Sequence, residues 1–192
     1  TVLTLSSILL IAGIFSYQLA NRSTARVSIL DVDDGISVVV TANRQTAIIG
    51  CNAYSDYTTY QYLKGHGIHN IDYLQPLSDE TIEYQNLAKL NEKFQTKNFI
   101  LPNGQYFAGD LEKSLEEVEK ISYYEKSAKT ILNDDVTIEL HSDAKGNYTV
   151  LMVKEIRILI LSSEYDLTNI DLDLNDIDIL ITDTVPQHAE YL

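Results

Sequence analysis

The sequence predicts a mixed α/β (α+β) domain in which two β-sheets pack together between outer helices. Segments with the two-residue period of strands fall into two groups, near residues 25–51 and 136–182. Amphipathic segments with helical spacing lie between the two groups. The chain has 192 residues, 45% of them hydrophobic, which suffices for one sizeable core. Together these features favour a layered αββα sandwich.

The chain begins with an uncharged, mostly apolar stretch. TVLTLSSILLIAGIFSYQLA carries no charge, and about 20 such residues are enough to span a bilayer. Residues 1–21 are therefore predicted to be a transmembrane helix or its C-terminal part, with a buried core helix as the alternative. Arg22 and Arg26 follow this stretch and weakly indicate a cytoplasmic exit. A linker at 22–25 then leads into a domain at 26–192.

The first sheet is predicted to open with a three-stranded antiparallel meander over 25–32, 36–42 and 46–51. DDG, which ends at Gly35, forms the first turn, because glycine adopts positive φ without strain. NRQ forms the second turn. Both connections are short, so consecutive strands are expected to pair.

Three helices are predicted next, each beginning at a capping residue that precedes apolar residues at helical spacing. The first is 57–64, capped by Ser55 or Asp56 and ended by Gly65. The second is capped by Ser78 or Asp79 and is expected to turn inward Ile82, Leu87, Leu90 and Phe94. The third is 109–124, capped by Asp110. The apolar segment 71–77 precedes the second helix, and a short strand at 98–102 follows it.

The second sheet is predicted from four further segments that are rich in β-branched residues. They are 136–141, 148–153, 156–163 and 177–182. Residues 165–176 are expected to form a loop or a short helix. The acidic stretch 166–178 lacks the spacing of a calcium-binding loop and is interpreted as a solvated acidic loop.

The composition excludes several classes of function. The formal net charge is −14, with a pI near 4.5, so strong direct binding to nucleic acid is not expected. Cys51 is the single cysteine, which excludes an intrachain disulfide and a cysteine-based zinc framework. No G-x-S-x-G, P-loop or G-x-G-x-x-G pattern is present.

SILDVDDGISVVV resembles the start of the metallo-β-lactamase-like domain at the C-terminal end of ComEC-like competence proteins. In that family the segment reads L-D-V-G-Q-G-D before a strand, and Leu30, Asp31, Val32 and Gly35 match it. Further similar segments follow in the family's order: AIIGCN, YLKGHGIHNIDYL, NFILP, NYTVLMV, IRILILSS and DIDILIT. The resemblance covers roughly residues 1–185, and it implies a metallo-β-lactamase-like sandwich that is truncated or shortened at its C-terminal end.

The family's metal ligands are replaced at the corresponding positions. The family has H-x-D-x-D-H after the strand that corresponds to 71–77, where imidazoles and carboxylates bind metal ions that activate water. The corresponding residues are Ser78, Glu80, Ile82 and Glu83 for that motif, Ser163 for the bridging aspartate, and Asp183 or Thr184 near the later histidine. The resemblance therefore implies a degenerate site without a metal or other cofactor.

Other interpretations of these residues stay open. Asp31, Asp79, Glu80 and Glu83 are weak candidates for an all-oxygen site for Mg²⁺ or Ca²⁺. The simpler interpretation is that Asp31 orders its turn and that the other three are acids favoured at the start of a helix, with a capping box. His66 and His69 are weak metal candidates and are otherwise exposed loop residues. His188 cannot be aligned, and Cys51 is expected to be a small buried residue.

The preferred function is that of a catalytically inactive, membrane-tethered domain of a ComEC-like protein involved in DNA uptake and natural transformation. The expected location is the bacterial cell membrane, and the expected partners are the rest of a polytopic protein and other DNA-uptake proteins. An alternative is an active metal-dependent phosphodiesterase or nuclease that uses the carboxylates named above. A second alternative is an unrelated membrane-anchored binding domain without the two-sheet sandwich.

Overall fold

The computed structural model describes most of the chain after residue 23. The described residues are 24–32, 35–52, 55–103, 118–143, 146–162 and 172–182, with Ser6, Gly13, Lys113, Leu115, Glu116 and Ile170.

The first sheet has six strands in the order of the sequence. They are β1 (Arg26–Val32), β2 (Gly35–Ala42), β3 (Gln45–Ile49), β4 (Asn70–Gln75), β5 (Gln95–Pro102) and β6 (Lys120–Tyr124). Strands β1 to β3 are the antiparallel meander that the short turns predict, whereas β3 to β6 are parallel. The parallel strands end at one edge of the sheet, so the loops that follow β3 and β4 meet there.

The second sheet has five strands in the order β11-β10-β9-β8-β7. They are β7 (Ser127–Asn133), β8 (Val136–Asp143), β9 (Gly146–Val153), β10 (Ile156–Leu161) and β11 (Ile179–Thr182). All neighbours are antiparallel except β10 and β11, which are parallel.

In the described part of the chain, two α-helices connect parallel strands of the first sheet. Helix α1 (Ser55–Gly65) joins β3 to β4, and α2 (Thr81–Lys93) joins β4 to β5. A 3₁₀ turn at Leu174–Asp176 precedes β11. Such crossovers are the usual connections between parallel strands, which cannot be joined by tight turns.

Three apolar clusters define the layers. Buried residues of both sheets, including Val38 and Leu151, form the core between the sheets. A second cluster, which includes Leu63 and Leu87, fills the space between the first sheet and the helices. A third covers the outer face of the second sheet with residues from the segment that precedes β11. The predicted sandwich of two sheets is therefore confirmed.

The predicted helix at 109–124 is wrong over its last five residues, and β7 was not predicted. Residues 120–124 form β6, which pairs in parallel with β5. Ile121, Tyr123 and Tyr124 favour a strand, and the free edge of β5 supplies partners for their backbone groups. The apolar residues before 120 have helical spacing, so the sequence pattern did not show where the two-residue period of the strand begins.

The start of the second predicted helix also differs. Helix α2 begins at Thr81, and its N-cap position is Glu80, whose side chain makes no capping hydrogen bond. The predicted caps, Ser78 and Asp79, lie upstream of that position. Ile82, predicted to face inward, is 40% exposed, because the buried face of α2 follows Glu83, Leu87 and Leu90 at helical spacing.

The predicted membrane helix lies almost wholly outside the described residues, which before Thr24 are only Ser6 and Gly13. Within the described part of the chain, no helix combines the length and apolar character that a membrane crossing requires. The transmembrane segment, the linker at 22–25 and the domain boundary at 26 therefore stay predictions.

Candidate functional site

The candidate site lies where β3 and β4 end, at the positions that the resemblance aligns with metal ligands. After β3 the chain passes through Gly50, whose φ of +74° suits glycine. Its N–H donates to the Gln75 carbonyl at 3.0 Å, which ties the end of β3 to the end of β4. A Cβ at Gly50 would lie 3.2 Å from the Leu77 Cβ. The two loops are thus packed directly against each other.

Glu83 is the centre of this contact. Its side chain is fully buried, although it extends from the first turn of α2. Oε1 accepts hydrogen bonds from the N–H groups of Leu77 at 2.7 Å and Cys51 at 3.1 Å. Oε2 accepts from the Ser78 N–H at 2.7 Å and from the Ser78 hydroxyl. One carboxyl group therefore fixes both loops through four hydrogen bonds.

The environment of Glu83 changes its acidity. Burial raises the pKa of the carboxyl, and the hydrogen bonds from Ser78, Leu77 and Cys51 oppose that rise without cancelling it. Burial also raises the pKa of the nearby Tyr124 hydroxyl, and the charge of Glu83 contributes to that rise. Burial thus disfavours the charged form of each group, which is the form that binds metal.

Two asparagines complete the polar network between the loops and helices. The Asn86 amide nitrogen donates to the Cys51 carbonyl at 3.0 Å. The Asn52 side-chain oxygen accepts from the Ile36 N–H, while the Asn52 carbonyl accepts from the Ser55 hydroxyl at 2.7 Å. These residues were not predicted, although Asn86 lies three residues after Glu83 on the inward face of α2, and that spacing was a usable signal.

Cys51 is buried, as predicted. Burial raises the pKa of its thiol to about 12, so the thiolate needed for nucleophilic attack is scarce at neutral pH. Its sulfur accepts from the Ser55 hydroxyl at 3.4 Å. Cys51 therefore has a packing role at the end of β3.

The structure brings only some of the predicted positions together. Ser78 and Glu83 are in direct contact, whereas Asp79 and Ile82 are exposed and Glu80 is half-buried. Ser163, Asp183, Thr184 and His188 lie outside the described residues, as does the side chain of Asp31. Within the described part of the chain, no three histidine, cysteine, aspartate or glutamate side chains are grouped as metal ligands.

His66 and His69 are exposed and lie at the opposite edge of the first sheet. The Nδ1–H of His66 donates to the Tyr62 carbonyl at 2.9 Å, and the His66 ring stacks on the Tyr62 ring at 4.0 Å. Their prediction as loop residues is confirmed.

Comparison with solved structures shows the fold. The chain is similar to a metallo-β-lactamase mutant from Cronobacter sakazakii, with a TM-score of 0.58, 10% identity, and 82% of this chain and 76% of that chain covered. It is similar to MIM-1 from Novosphingobium pentaromativorans, with a TM-score of 0.54, 12% identity, and coverage of 77% and 69%. It is also similar to FEZ-1 from Legionella gormanii, with a TM-score of 0.54, 10% identity, and coverage of 73% and 62%.

The sequence matches no protein-family profile, and a search of curated proteins finds no match. The chain thus has the metallo-β-lactamase fold. The solved metallo-β-lactamases named above imply a metal centre, and three of the positions that the resemblance aligns with its ligands do not suit one. Ile82 has no donor atom, Ser78 is a neutral hydroxyl, and the oxygens of Glu83 already accept four hydrogen bonds.

Proposed function

We propose that this protein contains a non-hydrolytic domain of the metallo-β-lactamase fold that acts as a structural or interaction module. The observation that carries this proposal is the state of Glu83. A carboxylate offers about four lone-pair positions, and the four donors from Leu77, Cys51 and Ser78 account for that number. Glu83 therefore stabilises the loops that in an enzyme of this fold would hold metal.

We further propose that the domain belongs to a ComEC-like membrane protein involved in DNA uptake. The support is the match of Leu30, Asp31, Val32 and Gly35, the ordered similarity of the later segments, and the apolar start at 1–21. The net charge of −14 favours contacts with partner proteins over direct contact with the DNA backbone.

Metal binding tests the first proposal. Untagged 192-residue protein would be purified, analysed for bound metals and titrated calorimetrically with Mn²⁺, Zn²⁺ and Mg²⁺. We expect no stoichiometric metal and no affinity tighter than millimolar. Micromolar stoichiometric binding that Glu80→Ala abolishes, and that the exposed Glu92→Ala on the same helix leaves intact, would establish the all-carboxylate hydrolase instead.

Transformation assays test the second proposal. In the source bacterium, deletion of codons 24–192 is expected to abolish transformation, whereas Glu80→Ala is expected to leave it unchanged because no metal chemistry is required. Unchanged transformation after the deletion would contradict a role in DNA uptake. Loss of transformation in Glu80→Ala, with normal protein levels, would contradict the non-hydrolytic assignment.

A further inference from the structure

A cleft of about 620 Å³ opens at the edge of the first sheet where β3, β4 and β5 begin. The candidate site lies at the other end of the same strands, roughly 15–20 Å away at about 3.3 Å per residue. The β2–β3 turn, the loop between α1 and β4, and the start of β1 complete its walls. The cleft is therefore separate from the site of the degenerate metal motif.

The charged side chains that line the cleft are mainly cationic, although the protein as a whole is acidic. The chain has 14 Lys and Arg residues against 28 Asp and Glu residues. Among the described residues that line the cleft, Arg26, Arg44 and Lys97 are basic, and Asp72 alone is acidic. An excess of cations inside an acidic protein is a feature of an anion-binding site.

The single carboxylate is already engaged. Asp72 accepts hydrogen bonds from the Lys97 ammonium at 2.7 Å and from the Thr46 N–H at 2.8 Å. Arg26 is exposed and forms no ion pair with the described residues. Arg26 therefore adds a positive charge to the cleft that Asp72 does not neutralise.

The carboxyl end of α1 reaches the same cleft, and a helix C-terminus ordinarily repels anions. Here its last carbonyls are satisfied. The Tyr62 carbonyl accepts from the His66 N–H, the Leu63 carbonyl from the Ile68 N–H and the Lys64 carbonyl from the Gly67 N–H. Gly67, with a φ of +66°, permits this capping arrangement. The negative end of the helix is thus shielded from the cleft.

Arg44 has an unfavourable backbone conformation. Asn43 and Arg44 form the two-residue β2–β3 turn with φ values of 50° and 67°. This is the geometry of a type I′ turn, in which glycine is preferred at the second position. The turn thus places a charged side chain, where glycine would be preferred, at the rim of the cleft.

We propose that this cleft binds a phosphate-bearing small molecule, either free in solution or as the headgroup of a lipid. The planar guanidinium groups of Arg26 and Arg44 suit phosphate oxygens, which they contact through paired hydrogen bonds. The volume falls within the range of small-molecule sites. This inference does not depend on the proposed role in DNA uptake.

The test is a calorimetric titration of the full chain with inorganic pyrophosphate at low salt. Arg44→Gly removes the charge and also relieves the positive φ, so this variant is expected to fold. Lys154→Gly is the matched control, because Lys154 has a φ of 57° in the β9–β10 turn of the other sheet. Arg26→Gln provides a second variant in the cleft.

We expect Arg44→Gly and Arg26→Gln each to weaken pyrophosphate binding roughly tenfold, as for loss of one charge-assisted contact, and Lys154→Gly to leave it unchanged. No binding, binding that both cleft variants retain, or equal weakening by Lys154→Gly would overturn the proposal. Tighter binding of single-stranded DNA through the same arginines would also overturn it.

Vesicles of phosphatidylcholine with and without phosphatidic acid distinguish the two sources of phosphate. Thr24, which lines the cleft, follows the predicted membrane segment closely, so a headgroup is within reach if that segment spans the bilayer. Retention on phosphatidic acid vesicles that Arg44→Gly abolishes would support the lipid source. Pyrophosphate binding without vesicle retention would support a soluble ligand.

Discussion

One buried side chain, Glu83, connects two loops that are far apart in the sequence. At the residue scale, the resemblance placed its aligned motif in the loop after β4, and the structure shows that this loop contacts the loop after β3. The resemblance did not indicate that Glu83 would be fully buried and would accept bonds from both loops. One of those bonds comes from the Cys51 N–H, 32 residues away in sequence, and no local pattern specifies such a contact.

Glu83→Ala is predicted to destabilise the domain by about 3–5 kcal/mol, because buried donors of both loops lose their acceptor. Urea unfolding followed by tyrosine fluorescence would measure the free energy of unfolding. Glu92→Ala, at an exposed position of the same helix, is the control and should change it by less than about 0.5 kcal/mol. Equal effects of the two substitutions would contradict the structural role of Glu83.

Glu83 should also make stability depend on pH. Its pKa is raised above the ordinary value of 4.5, so the folded state holds the proton more tightly than the unfolded chain. The stability contributed by this group is fully present below pH 4.5 and is lost as the pH rises through the raised pKa. Glu83→Gln cannot ionise and lacks this dependence.

The measurement is the free energy of unfolding of wild type minus that of Glu83→Gln, at a series of pH values from 4.5 upward. We expect this difference to fall with rising pH. A difference that increases with pH would mean that the four hydrogen bonds outweigh burial and that the carboxylate form is the stable one.

At the scale of elements, turn chemistry was the most informative signal. The short NRQ connection predicted the β2–β3 hairpin, and its positive φ values at Asn43 and Arg44 fit the right-handed twist of the paired strands. Arg44→Gly is predicted to raise the free energy of unfolding by about 0.5–1 kcal/mol. Arg44→Ala also removes the charge but keeps the backbone strain, so it should not raise the free energy of unfolding. Thermal unfolding monitored by circular dichroism would distinguish the two variants.

The same scale explains the main error of the sequence interpretation. Helical spacing through Leu115 and Val118 continued to Ile121, and periodicity alone could not locate the point where the chain becomes β6. The assignment depends on β5, a neighbour about 20 residues earlier, which offers an open edge to residues 120–124. Local propensity is weaker than such a tertiary contact.

At the scale of the molecule, the two-sheet arrangement could be predicted because it follows from hydrophobic patterning, which tolerates wide variation in sequence. The similar solved structures are only 10–12% identical to this chain. The cationic cleft could not be predicted, because Arg26, Arg44 and Lys97 are distant in sequence and converge only through strand order. Patterning thus specifies layers, while a site depends on which strand ends become neighbours.

The core between the sheets predicts that the domain unfolds as one unit. Leu151 in β9 is fully buried and packs in the same cluster as Val38 of the first sheet. Leu151→Ala should therefore lower the free energy of unfolding by about 2–5 kcal/mol, whereas Ile156→Ala, at a residue that is 46% exposed, should lower it by less than about 1 kcal/mol. Among the described residues, α1 and α2 both connect strands of the first sheet, so their far-UV circular dichroism reports on that sheet. If the two sheets unfold together, the helix signal and the tyrosine fluorescence of Leu151→Ala will show the same unfolding transition. An unchanged helix transition would show instead that the first sheet and its helices are stable without the second.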